Sequence, residues 1–430
     1  MSLQTPASAA GTGPSSDAVL VVNAGSSSLK FALYPREAPI GPAAGDEYAA
    51  PCAARAVGQL EGLQPGGQLR LCAAGAPAID LGSPADEEGR FAAALQAMAE
   101  HLERTAPEMR VVAVAHRIVH GGTRYTQPVR LDDAALAFLA TLEPLAPLHQ
   151  PHNLAGVRAL RQRYPELMQV GCFDTAFHAG MPELEHRYAL PEKLYEQGVR
   201  RYGFHGLSYD YVSHALLHTS PIRSRGRVLM AHLGSGASLC AAREGRSVAT
   251  SMGFSALDGL VMGTRCGALD AGVLLHLWRE GWSLGDVEAL LYKQSGLLGI
   301  SGRSADMRTL HTLASQGDAA AERAIALFAY RLRREAGALT TVLGGLDVLA
   351  CTGGIGEHDA AIRAELAHSL AHLGVRLDEA ANQAARGDRI EPIHAPDSMV
   401  EVWVVPTDEG RVAAHAAWAL LDQASAGAPG

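Results

Sequence analysis

At 430 residues the chain is long enough for two or three domains, each with its own core. Hydrophobic residues at 48% and charged residues at 19% describe an ordinary globular protein. A net charge of -9 and the lack of a long basic run argue against a nucleic-acid binder, and no apolar stretch approaches the roughly 20 residues that cross a bilayer.

Residues 1–17 are rich in Ala, Ser, Gly and Thr, without a basic or an apolar region, and read as a disordered extension, not a signal peptide. From Val19 an apolar run enters Asn23-Ala-Gly25-Ser26-Ser27-Ser28 and a second run, carrying Lys30, leaves it. This predicts a β-hairpin whose tip offers backbone N–H groups, hydroxyls, an amide and a cation, which suits phosphate oxygens. It is not a Walker loop, since no G-x-x-x-x-G-K-[ST] occurs and the turn feeds a strand. Short strands are expected near Ala53–Leu60 and Gln68–Cys72, and a helix over Phe91–Glu103. A β-rich run follows at Val111 to Gly122 and contains His116, Arg117 and His120. Helices fit Asp132–Thr141 and Asn153–Arg163, and a strand at Val170–Asp174 ends on a carboxylate.

A second hairpin, Arg227–Leu233 and Ala237–Arg243 around Gly234-Ser235-Gly236, repeats the plan of the first about two hundred residues later, which suits a domain duplication. A long helix fits Asp318 to about Leu343, a strand at Val348–Cys351 enters a glycine turn at Thr352 to Glu357, and strand Val400–Val405 and helix Glu409–Leu421 close the chain. Alternating strands and helices mean α/β. Six scattered cysteines (Cys52, Cys72, Cys172, Cys240, Cys266, Cys351), with no C-x-x-C pair, read as reduced thiols in a cytoplasmic protein. The 18 histidines include no H-E-x-x-H or Cys/His cluster, so a zinc site is not expected.

Taken in order, Asn23–Lys30, His116–Gly122, Pro147–His149, Phe173–His178, Arg201–Ser208, His232–Ser238, Thr250–Phe254, Met262–Arg265, Ser295–Ser301, Asp306–Arg308 and Gly354–Glu357 resemble the acetate and propionate kinase family, over about residues 18–422. The resemblance implies a duplicated actin-like (ribonuclease H-like) ATPase fold, with two domains around an ATP cleft. The first would span 18–175 plus 408–425, and the second, on the nucleotide side, 176–407. It implies reversible, ATP-dependent phosphorylation of a short-chain carboxylate, acetate before propionate, by direct in-line transfer in a homodimer. Mg2+, with Mn2+ as a substitute, would assist. A non-catalytic actin-fold ATP-binding protein is the alternative from another class.

The same resemblance assigns roles. Arg117 and Arg265 would border the acyl group and γ-phosphate, His205 would hydrogen-bond the transferring group and His149 would assist. Asp174 and Glu409 would serve the metal, with Asn23 beside them. Lys30, Ser26 and Ser28 would meet phosphate, and His232, Leu233, Gly234, Ser235 and Gly236 would cradle the β- and γ-phosphates. Asp306, Met307 and Arg308 would face the base, with Gly354, Ile355, Gly356, Glu357 and His358 near the ribose and α-phosphate. The substrate pocket would be lined by Val119, Leu148, Phe204 and Ala256. The plainer readings are a turn cap for Asp174, a solvent-facing or ion-paired strand residue for Arg117, a loop residue for His149, and packing for His116, His120 and His178.

The chemistry agrees with these residue types. A carboxylate nucleophile is already ionised at neutral pH and needs no general base. Its difficulty is approaching an anionic γ-phosphate, which guanidinium groups relieve. The chain departs from the family pattern at Ser235 and His358, where asparagine is usual, and at Ala256, where proline is usual. It also departs along Cys266–Ala271, where one usual acidic residue and a usual proline are missing, and at Gly410, which leaves Glu409 as the sole metal carboxylate there.

Overall fold

The computed structural model describes residues 16–25, 27–36, 54–73, 76–83 and 86–426. The expected N-terminal extension lies outside them up to residue 15, as do Ser26 and Cys52. The chain divides into two units: one runs to Ala176 and resumes at Asp408, and the other is Phe177–Thr407.

The first unit contains β1 (Ser16–Ala24), β2 (Ser28–Pro35), β3 (Ala56–Glu61), β4 (Leu69–Cys72), β5 (Ile79–Gly82), α1 (Glu87–Thr105), β6 (Met109–Ile118), β7 (Val129–Arg130), α2 (Asp133–Ala140), α3 (Gln150–Arg163) and β8 (Met168–Phe173). Its sheet has the order β5-β4-β3-β2-β1-β6-β8-β7. Strands β1 to β5 pair antiparallel, whereas β1, β6 and β8 run parallel. β1 is buried without a break from Ala18 to Val22, the mark of a central strand covered on both faces. Its Ala18, Leu20 and Val22 pack with Leu33, Leu60, Met98 and Leu102, which joins the sheet to α1. Ile118, Leu139, Leu154 and Phe173 form a separate cluster with α2 and α3.

The second unit contains α4 (Glu183–His186), α5 (Glu192–Glu196), α6 (Gly206–Thr219), β9 (Val228–Leu233), β10 (Ala237–Arg243), β11 (Arg246–Thr250), α7 (Ala271–Arg279), α8 (Leu284–Lys293), α9 (Gly296–Ser301), α10 (Met307–Ser315), α11 (Ala319–Leu343), β12 (Val348–Thr352), α12 (Gly353–His358), α13 (Ala360–Ser369), α14 (Glu379–Ala384), β13 (Glu391–Pro392) and β14 (Glu401–Val404). Its sheet reads β11-β10-β9-β12-β14-β13. The stretch β11-β10-β9-β12-β14 repeats β3-β2-β1-β6-β8 in order and sense: an antiparallel meander, then two parallel strands. Each phosphate-type hairpin is therefore the first turn of a meander, β1–β2 in one unit and β9–β10 in the other.

The last helix, α15 (Glu409–Ala426), returns to the first unit and packs on β1 and β6. There the Tyr34 hydroxyl donates to Asp408 Oδ1 at 2.6 Å. Asp408 Oδ1 also accepts from the Arg411 N–H at 3.0 Å, closing the first turn of the helix. A Cβ on Gly410 would run into the Tyr34 hydroxyl, so a larger residue here would have to displace that ring.

Three expectations are corrected. β1 begins at Ser16, before the expected 18, because the Ser16 N–H bonds to the Glu108 carbonyl and Arg110 pairs with Asp17. α3 begins at Gln150, not Asn153. The glycine turn after β12 is the helix α12. Glycine content argues against a helix there, but side chains override it. The Glu357 carboxylate accepts from the Gly353 N–H at 2.9 Å, and the fully buried Arg363 donates to the Gly356 and Glu357 carbonyls at 3.1 and 2.8 Å.

Among the described residues no helix is long and apolar enough to cross a membrane. The five described cysteines are free thiols, and burial pushes Cys240 and Cys351 up to about 12, so these two are not nucleophiles at neutral pH. Burial also pushes His116, His120 and His178 down to about 4. These histidines stay neutral when folded and take up protons on unfolding below about pH 6.5. Their contribution to stability is full above that pH and is lost as pH falls towards 4. Urea titrations should show unfolding free energy dropping over this window by a few kcal/mol, with His178→Asn flattening the slope.

Candidate active site

In the first unit the site is built where parallel strands end. Arg117, near the end of β6, stands beside β8, and the Asp174 N–H bonds the Ile118 carbonyl at 3.0 Å, which holds the carboxylate next to the guanidinium. Arg117 Nε donates to Asp174 Oδ1 at 2.9 Å and Nη2 to Oδ2 at 2.7 Å, a bidentate pair, while Nη1 lies 3.2 Å from Glu409 Oε2. Burial opposes the arginine's charge, but the two carboxylates outweigh it and push its pKa above the ordinary value. Arg117 is thus ion-paired, with a second carboxylate that sequence spacing did not connect to it.

Asn153, which the sequence reading did not single out, ties this end together. Its Nδ2 donates to the Ala24 carbonyl at the tip of the β1–β2 hairpin at 2.6 Å, and its Oδ1 accepts from the Val119 N–H at 2.9 Å. Asn23 and Lys30 face each other across the hairpin, Lys30 exposed and Asn23 and Ser28 half-buried. The Gly25 N–H bonds the Ser28 carbonyl at 2.8 Å and closes the turn. Leu148 and His149 are half-buried just ahead of α3.

In the second unit His205 sits at φ 61, a left-handed backbone rarely adopted by a non-glycine residue, at the start of α6. Its ring stacks on His232 with centroids 4.2 Å apart. A Cβ on Gly236 would lie 3.2 Å from His205 Nε2 and 3.3 Å from Arg265 Nη2. One imidazole and one guanidinium thus converge on the bare backbone of the β9–β10 tip, and any larger residue there would fill the gap between them. Arg265 is aimed by its bond to the Ala256 carbonyl at 2.9 Å. The loop carrying Ala256 is fixed in turn by Arg201, whose Nη1 bonds the Thr250, Ser251 and Met252 carbonyls at 3.2, 3.3 and 2.9 Å. The Ser295–Ser301 motif braces Met262–Arg265 from behind, through Leu297 N–H to the Met262 carbonyl and Ser295 N–H to the Thr264 carbonyl. Phe204 is fully buried, and its carbonyl accepts from His178 Nε2 at 3.0 Å.

Beside the same tip lies a cavity of about 940 Å³. It is lined by Gly234, Ser235, Asp306, Met307, Arg308, Gly354, Ile355 and His358, all expected to meet nucleotide, and by Ala305, His311, Asp359, Ala360, Ala361 and Gln383, which were not. His311 Nε2 lies 2.8 Å from Asp359 Oδ2, a polar pair that no sequence motif announced. Leu233, Gly236, His232, Gly356 and Glu357 do not line it. Leu233 and Gly356 are buried, and Glu357 turns to the Gly353 and Thr407 N–H groups.

Among the described residues no group of three or more His, Cys, Asp or Glu side chains is placed to hold a metal ion. Two carboxylates, Asp174 and Glu409, do meet, on Arg117.

The pattern of the Acetokinase family matches residues 18–415. An acetate kinase of Rhodopseudomonas palustris (strain TIE-1) is 48% identical over 409 residues, covering 95% of this chain and 99% of that protein. The crystal structure of the Porphyromonas gingivalis acetate kinase superposes with a TM-score of 0.82 at 35% identity, over 94% of this chain and 100% of that one. A propionate kinase from Francisella tularensis gives 0.80 at 34%, over 93% and 98%. With a family match over residues 18–415 and relatives of this identity and coverage, the chain belongs to the acetokinase family.

Proposed function

We propose that this protein is an acetate kinase, transferring the γ-phosphoryl group of ATP to acetate in a reversible reaction. The observation that carries the reading is the β9–β10 tip, where bare glycine backbone meets His205 and Arg265 at the edge of a nucleotide-sized cavity. In the reaction an acetate oxygen forms a bond to the γ-phosphorus as the bond from that phosphorus to the β–γ bridging oxygen breaks, giving acetyl phosphate and ADP. Because acetate arrives as an anion, the protein's task is charge neutralisation and alignment, not proton removal.

In this reading Arg117 takes the acetate carboxylate with N–H groups left over from its two ion pairs, and Val119, Leu148, Phe204 and Ala256 surround the methyl group. Arg265 and His205 donate to the equatorial oxygens of the phosphoryl group as charge spreads onto them, with His149 assisting. Ser235 and its neighbouring backbone N–H groups hold the phosphates, Lys30, Ser26 and Ser28 assist, and Asp306, Met307 and Arg308 take the base. Mg2+, when bound, would supply charge compensation for the phosphate oxygens. Two carboxylates fit an ion that keeps several waters and takes its remaining oxygens from phosphate, so Asp174 and Glu409, with Asn23, would hold it.

We also propose a homodimer in the cytoplasm. Helix α7 has no buried residue, and Trp278 and Trp282 are 46% and 40% exposed beside Leu269, Leu275 and Leu284. A contiguous apolar face of this kind suits a twofold contact with a second copy. Light scattering should give twice the 45.1 kDa of one chain, and Trp278→Glu with Trp282→Glu should halve that mass. A monomeric wild type at micromolar concentration overturns the dimer.

Propionate is the second reading, favoured by the short side chain of Ala256. One methylene changes discrimination by only about 1–3 kcal/mol, so the acyl series must be compared by kcat/KM. Hydroxamate trapping with ATP, Mg2+ and acetate, propionate or butyrate should yield acyl phosphate, most efficiently with acetate. No product from any of the three would sink the enzyme reading. Arg265→Ala should lower kcat by about a hundredfold or more while leaving the thermal unfolding midpoint almost unchanged. An unaltered kcat would remove Arg265 from the mechanism.

A further inference from the structure

The two stacked histidines at the β9–β10 tip share an arrangement that goes beyond the proposed reaction. His205 Nδ1 lies 2.8 Å from Ser238 Oγ, and that hydroxyl lies 2.5 Å from the Tyr209 hydroxyl. His232 Nδ1 lies 2.8 Å from Ser208 Oγ. Ser208, Ser238 and Tyr209 are all completely buried. The opposite ring nitrogens point at the tip: Nε2 of His205 lies 3.2 Å from where a Cβ on Gly236 would sit, and Nε2 of His232 4.0 Å from the equivalent point on Gly234.

Counting hydrogens fixes which way these bonds run. Burial pushes the Tyr209 phenol well above its ordinary pKa, so it keeps its proton. Its polar neighbours are the His232 backbone N–H, a donor, the Cys240 thiol, which is turned to the Ala241 carbonyl and Ser247 Oγ, and Ser238 Oγ, its one hydrogen-bonded acceptor among the described residues. If Ser238 instead donated to Tyr209, the phenol proton would be buried without an acceptor, at a cost of about 1–3 kcal/mol. Tyr209 therefore donates to Ser238, and the Ser238 hydrogen is left for His205 Nδ1. The same count applies to Ser208, whose hydrogen has His232 Nδ1 as its one acceptor among the described residues.

We propose that Tyr209, Ser238 and Ser208 are positioning residues that hold His205 and His232 as neutral Nε2–H tautomers, so that two parallel N–H donors face the phosphate-binding tip. The inference rests on the phosphoryl-transfer reading of this site. The other tautomer would turn a lone pair of His205 towards anionic oxygens and lose the bond that strengthens in the transition state. Stacking brings the two rings to within 21° of parallel. Neither histidine needs to gain or lose a proton during turnover, consistent with a nucleophile that requires no base.

The test is a two-bond 1H–15N correlation on full-length protein labelled at histidine with 15N, with His205→Gln and His232→Gln spectra used to assign the signals. Both residues should give the Nε2–H pattern. Ser238→Ala should replace the His205 pattern with a mixture of tautomers and lower kcat about tenfold to a hundredfold, with the KM for ATP within about threefold. Ser238→Thr, which keeps the hydroxyl, should restore the wild-type pattern. An Nδ1–H pattern for His205 in the wild type overturns the proposal, as does a pure Nε2–H pattern that survives in Ser238→Ala. If Ser238→Ala does not fold, the wild-type spectrum alone decides. The two readings fail separately: an active kinase with an Nδ1–H His205 refutes the tautomer, and an inactive protein with Nε2–H signals refutes the function.

Discussion

Arg117 holds two carboxylates that come from distant parts of the chain, and the first unit depends on that triad. Asp174 follows β8 and Glu409 opens α15, so one guanidinium joins β6, the end of β8 and the returning C-terminal helix. Asp174 is almost fully buried, and removing Arg117 would take the bidentate partner away from a buried carboxylate. Elsewhere such a loss costs about 3–5 kcal/mol. In the proposed reaction between two anions the same charges would also act on the substrates, so stability and chemistry would draw on one set of residues.

The second unit sets one guanidinium beside an imidazole at its hairpin tip. At this β9–β10 tip, glycine at 236 leaves room for His205 and Arg265 to reach the backbone. Each of these is held from behind: Arg265 by the Ala256 carbonyl, His205 by Ser238, and the Ala256 loop by Arg201. Preorganisation of this kind matters because donors that are already oriented need not reorganise as charge develops. The cavity wall follows the same logic, since α12 keeps its form through Glu357 and Arg363 instead of through helix propensity.

The duplication has a physical reading as well. In both sheets the hairpin leads a meander whose first strand continues into parallel neighbours, so both tips lie at an end of a central, fully buried strand. A rigid strand is a better platform for a phosphate turn than a free loop. The halves have diverged until the repeat is faint in sequence, yet strand order and sense are identical.

By itself the sequence determined the α/β class, both hairpins, most of the long elements and the chemical types at the site. Apolar alternation, glycine tips and charged residues inside apolar runs are local signals, and Arg117, His205 and Arg265 stand in such signals. Helices α7 to α10 were not picked out from the sequence, and α7 keeps apolar residues such as Leu275 and Trp278 exposed instead of in a core. Only tertiary structure decided that Glu409 meets Arg117, that Asn153 links the first hairpin to Val119, and that Tyr34 occupies the place of a side chain at Gly410. It likewise decided that Ser238 and Tyr209 stand behind His205 and that His311 and Asp359 line the cavity. These are partnerships between residues far apart in the chain, and periodicity and local composition carry no record of them. A side chain's type is written in the sequence, but its partner is set by which strands and helices the fold brings together.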